Sequence, residues 1–259
     1  MPPIEELFQQ AQARYQRFEQ FFRLGHELET LIDQVLAGVG GGFAFKRGRG
    51  EDVSIIAGAS FFKGLRTFKA AKTLALFGFG TEALLLIRSN INLLINVDWI
   101  LSSDNPTEAA EQFVAYSYLE NRKFGRGIGL HTQPESEEDK SIRDKAAAWG
   151  KLTIAKRAER SREFHYKVGY RQYSAVDHSD SSGLIRYIRA WKRNEIEVDY
   201  DPSDEDVILA LEHNIAVMAD LLVSTCDFFK VPTGDLRNRI WALTEQLAEA
   251  DKLARKDGQ

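Results

Sequence analysis

With a single cysteine, Cys226, in 259 residues, the chain has no internal disulfide, and that thiol is expected to serve as a small buried hydrophobe. The sequence does not open on the basic, apolar and small-residue succession of a secretory signal, which together with the lone cysteine points to a reducing cytoplasm. Nor is there a clean lipid-exposed run. The strongest apolar segment, Ala83 to Leu101, is broken by Arg88, Asn90, Asn92, Asn96 and Asp98, so it reads as a core helix and no membrane partner is expected. Convincing strand alternation, a repeat period and a sustained coiled-coil heptad are all missing, leaving an all-α, multi-helix bundle with long amphipathic helices. The glycine-rich Gly38 to Gly50 stretch carries Lys46, Arg47 and Arg49 but not the spacing of a phosphate-cradling loop, and reads as a linker.

What the chain does have is enough apolar material, 44% of residues, to bury a sizeable core. The expected organisation is one helical domain over 1–259, with a candidate subdivision near 125–135. Apolar positions at three- to four-residue spacing predict one long helix from Ile4 to Leu36, then helices over Val53 to Phe77 and Thr81 to Ser102, divided at Gly78-Phe79-Gly80 with Thr81 as N-cap. Asp104 to Glu108 starts another helix reaching about Phe124, and Gly125 to Pro134 reads as a loop. Ser136 to Asp139 opens a charged helix running to about Lys167. A short helix near Leu184 to Trp191 precedes Ser203 to Phe229, capped by Ser203 with Asp206 three positions on, and Gly234 to Lys256 closes the series.

Charge is unevenly spread. The net value is -4, yet between Arg143 and Arg193 there are 13 Lys or Arg against 5 Asp or Glu, which is +8 and leaves -12 elsewhere. Such a basic middle suits a polyanion, and equally a helix face answered by acidic neighbours. Within it lies the densest polar window of the chain, Tyr166 to Ser179, holding Tyr170, Arg171, Tyr173, Ser174 and His178. Earlier, Arg88, Asn92 and Asn96 fall four residues apart on one face of an apolar helix, where such groups need partners and where Arg88 could reach the same window.

Two Asp residues beside His178, Asp177 and Asp180, invite a metal reading. No second ligand set is evident, so neither a metal nor another cofactor is expected. A Ser174, His178 and Asp177 triad lacks the strand-to-helix elbow of hydrolases. His26 and His213 read as surface or boundary residues. The tyrosines fit a core edge, though a basic and aromatic mixture also suits single-stranded RNA.

Arg88-Ser89-Asn90-Ile91-Asn92 and Tyr170-Arg-Gln-Tyr-Ser174-Ala-Val-Asp-His178 resemble the paired Arg-Ser-x-x-Glu and Tyr-x-x-x-Ser-x-x-x-His motifs of a bacterial, all-helical family of unknown function. The resemblance covers Val53 to His178 and departs at Asn92, where the family usually carries glutamate, so an acid or base role is lost there and hydrogen bonding remains. Arg171 followed by His178 is also similar to the signature of HEPN ribonucleases. Seven residues is about 20° short of two helical turns, which puts both side chains on one face, whereas the five-residue offset of Arg160 and His165 turns them about 140° apart.

That resemblance implies a metal-independent endoribonuclease of the stress or phage-defence kind, acting as a homodimer. In it His178 is the general acid or base and Arg171 holds charge on the phosphate. Lys156, Arg157, Arg160 and Arg162 would grip the RNA backbone, with Arg88, Asn92, Tyr170, Tyr173 and Ser174 completing the binding surface. A toxin of this kind would travel with a protein antidote. The rival reading is a non-catalytic helical module in which the polar window is an internal hydrogen-bonded hub and the partner is a protein or small ligand.

Overall fold

A computed structural model describes residues 3–43, 50–127, 137–177, 188–192, 195–198, 201–232 and 234–257. The chain forms helices α1 (Ile4–Arg17), α2 (Glu19–Gly38), α3 (Glu51–Leu76), α4 (Gly80–Leu101), α5 (Pro106–Gly127), α6 (Glu137–Gly150) and α7 (Ile154–Glu159). A π-helical stretch, His165–Tyr170, runs directly into α8 (Arg171–Asp177). Strands β1 (Ile188–Lys192) and β2 (Glu195–Val198) follow, then α9 (Val207–Phe229) and α10 (Leu236–Asp257). This is an all-α multi-helix bundle carrying one small antiparallel hairpin.

The core follows from the apolar stripes. On α4, Leu84, Ile87, Ile91 and Leu94 recur every three or four residues and are all buried, as are Phe61 and Phe68 of α3 and Ile215, Met218 and Leu222 of α9. These three helices pack on one another, and α2 and α10 close over α9. Each buried Leu, Ile or Phe contributes about 1.5–3 kcal/mol of transfer free energy before entropy is counted. A smaller cluster joins Val53, Ile56, Ile100, Ala109, Ala110 and Trp149 beneath α5 and α6. By length and composition alone α4 and α9 could cross a membrane; 50% and 56% of their apolar windows are buried inside the protein, which is how core helices behave.

Several boundaries differ from expectation, each for a local reason. The first helix is two helices, broken at Phe18, whose φ of -113° and ψ of 26° leave the helical region. Gly78 does end α3: at φ +85° its N–H bonds the Ala75 carbonyl and the Phe79 N–H bonds that of Leu74, closing a Schellman motif. Thr81 does not cap α4, because its hydroxyl instead donates to Asp206 at 3.0 Å. Helix α5 continues through Gly125 to Gly127, where a loop was expected. The charged helix expected to reach Lys167 breaks after Gly150, and Thr153 caps α7 by accepting from the Lys156 N–H.

Ser203 does not cap α9 either; it accepts from Glu205 N–H at 3.3 Å, and Asp206, at φ +59°, immediately precedes the helix. Where a short helix was expected near Trp191, the chain forms the hairpin, pairing Ile188 with Val198 and Lys192 with Glu195 across a bulge between Ile188 and Ala190. The alternation Glu195-Ile-Glu-Val198 is its sequence trace, too brief to stand out at two strands of five and four residues.

Candidate functional site

The Arg88 face of α4 meets the segment carrying the tyrosines. Arg88 Nε donates to Ser174 Oγ at 2.9 Å, and Nη2 donates to the Tyr170 hydroxyl at 3.4 Å. Its guanidinium carbon lies 5.0 Å from the centre of the Tyr170 ring, a cation–π arrangement. Ser174 relays the contact by donating to the Tyr170 carbonyl one turn back, at 2.7 Å, and the Tyr170 ring stacks on Tyr166 with centroids 5.6 Å apart. Two motifs more than eighty positions apart in sequence thus form one junction. Asn92 is turned elsewhere, accepting from Asn96 Nδ2 at 3.1 Å.

Local backbone geometry makes this meeting possible. The His165–Tyr170 stretch is π-helical, its hydrogen bonds spanning five residues where an α-helix spans four, a rare form that occurs mostly as single-turn bulges. Gly169 lets it approach α4 closely, since a Cβ there would fall 2.5 Å from Ile91 Cδ1. Arg171 follows at once, exposed at the start of α8. His178, the residue after α8, lies outside the described residues, and so do Asp180 and the rest of the window beyond it.

Tyr173 has gone inward. Its side chain is fully buried, with its hydroxyl hydrogen-bonded to His213 Nδ1, so it belongs to the core and offers no binding surface. Burial, helped by the nearby charge of His165, pushes the His213 pKa down to about 4. His213 is therefore a neutral partner of the buried Tyr173 hydroxyl, at the boundary position that was expected.

Part of the basic segment is answered within the fold. Arg162 Nε bonds the buried Asp98, Nη1 donates to Asp220 at 2.9 Å, and Nη2 donates to Ser224 at 3.1 Å. Asp220 also meets His165 Nε2 at 2.7 Å. Arg160 pairs weakly with Asp104 at 3.4 Å and lies over Trp99. Arg157 turns inward onto Trp149, its guanidinium carbon 4.8 Å from the ring centre, and donates to the Leu152 carbonyl. Of the four cations expected to grip a backbone, Lys156 alone is simply exposed.

Sequence reasoning missed the Asp98, Arg162, Asp220, His165 and Ser224 network. A signal was available in Asp98, a carboxylate inside the strongest apolar run that needs a partner once buried, and in Asp220, a part-exposed second carboxylate on apolar α9. Among the described residues no cluster of three or more His, Cys, Asp or Glu has metal-holding geometry.

Bundle and junction together define an all-helical protein whose polar centre is an arginine clasped by a tyrosine and a serine from a later segment. The comparison with protein families identifies it further: residues 54–196 match a family of unknown function, DUF5677, and the chain belongs to it. The matched region runs from α3 to β2 and contains both halves of the junction. No curated protein and no solved structure matches the chain.

Proposed function

We propose that the chain is an RNA-directed protein, a metal-independent endoribonuclease whose site is built at the Arg88, Tyr170 and Ser174 junction. The supporting observation is the junction itself: Arg88 of α4 fixes Ser174 and Tyr170, and so fixes the helix turn from which exposed Arg171 projects and after which His178 follows. In this reading His178 takes the proton of a ribose 2′-hydroxyl, which attacks the adjacent phosphorus. Arg171 holds the negative charge that builds on the phosphate, and the 5′-oxygen leaves and takes a proton from solvent water, giving a 2′,3′-cyclic phosphate and a 5′-hydroxyl. The same reading places the protein in the cytoplasm, as a homodimer restrained by a protein antidote.

The test is incubation of wild type, Arg171→Ala and His178→Ala with a mixed RNA pool in chelator. Wild type is expected to release fragments ending in 2′,3′-cyclic phosphate, and each variant to lose about 100-fold or more of that rate. Intact RNA with all three folded proteins refutes the reading. One observation favours a second reading, a non-catalytic module that binds a protein or small ligand: Arg162 is already paired with Asp98 and Asp220, and Arg160 with Asp104, which takes two of the four expected backbone-gripping cations out of use.

A further inference from the structure

The other inward-facing arginines of the α1, α5 and α7-to-π segments each meet a carboxylate: Arg14 bonds Asp204 at 2.7 Å, Arg122 bonds Asp139, and Arg162 bonds Asp98 and Asp220. Arg157 meets none among the described residues. Its protein contacts are neutral: the Leu152 carbonyl at Nη1 and the face of Trp149. Nε is buried without an acceptor. Removing a guanidinium from water without a counter-charge is costly, and burial does pull its pKa below the usual arginine value. The groups that influence it electrostatically are the phenols of Tyr116 and Tyr170, and Tyr170 is the ring that Arg88 also covers.

We propose that Arg157 is the anchor of an anion site next to the Arg88 and Tyr170 junction, and that the anion it takes is a phosphate group. A guanidinium offers five N–H donors in a rigid fork, and Nη1 alone is committed to a protein acceptor. Two oxygens of a tetrahedral phosphate can accept side by side from that planar fork, and the Trp149 ring lies against the guanidinium and limits its movement. The choice of phosphate rests on the RNA reading above; the need for an anion does not. Free phosphate and an RNA phosphodiester share this chemistry.

The test exploits an opposition of signs. Wild type and Arg157→Met are melted in chloride and in orthophosphate at equal ionic strength, then with a short single-stranded RNA lacking a terminal phosphate. Methionine keeps an unbranched side chain against Trp149 and deletes the charge. The expected result is that Arg157→Met melts at the same temperature as wild type or higher in chloride, because an unmatched charge has gone, and that it loses the several-degree rise phosphate gives wild type.

A rise with orthophosphate alone assigns the site to the free ion, and a rise with RNA as well assigns it to the phosphodiester. Absence of any phosphate or RNA response in wild type, or an Arg157→Met protein that melts lower yet responds like wild type, overturns the proposal. Because RNA cleavage is measured separately, a phosphate response without cleavage retains the anion site and removes the ribonuclease reading.

Discussion

At the scale of single residues, the pairing of buried Tyr173 with part-buried His213 has a calculable consequence. With its pKa near 4 in the fold and about 6.5 when unfolded, His213 binds fewer protons in the native state throughout that interval. Stability from this group is therefore fully present above pH 6.5 and is lost as pH falls toward 4, amounting to about 3 kcal/mol at the bottom of the window. Denaturant unfolding at a series of pH values should show wild type losing that much more than His213→Gln between pH 6.5 and 4. Parallel pH profiles would mean that the imidazole is not held neutral by its surroundings.

Among the elements, the π-helical stretch decides the most. It is held between two polar anchorages: Arg162 and His165 to α4 and α9 at its start, and Tyr170 and Ser174 to Arg88 at its end. Because an α-helix turns about 100° per residue, a slip to α geometry would rotate Ser174 away from Arg88. Arg162→Met leaves Asp98, which is 8% exposed, without its guanidinium partner. Breaking such a buried pair from one side costs about 3 kcal/mol, to be read in urea unfolding. A loss below about 1 kcal/mol would show the network to be solvent-screened.

The helices of this bundle were legible in the sequence because their apolar stripes are long, and the Schellman ending at Gly78 was legible because only glycine takes that backbone freely. The start of α4 and the π-helical stretch were not. There tertiary partners override local rules: Thr81 is claimed by Asp206, and Arg162, on a charged segment that reads as solvated, is drawn inward by carboxylates on two apolar helices. The meeting of Arg88 with Tyr170 and Ser174 could be suspected from a helix-face argument. That Tyr173 would be buried, or that Asp98 and Asp220 would share one arginine, requires the fold.

For the molecule as a whole, the uneven charge seen along the chain is partly folded away, since the basic middle finds acidic partners on α4, α9 and the segment after α4. What remains is a bundle organised around a junction that ties the two halves of the family's matched region together. The claim that this junction is one working site is most directly tested at Arg88, which makes both contacts. Lysine keeps the charge but cannot reproduce the fork that serves Ser174 and Tyr170 at once. The decisive measurement is the initial rate of RNA cleavage in chelator by Arg88→Lys beside wild type, with melting temperatures taken on the same samples. A rate at least 10-fold lower in a protein that melts within a few degrees of wild type is the predicted result; an unchanged rate would contradict the account.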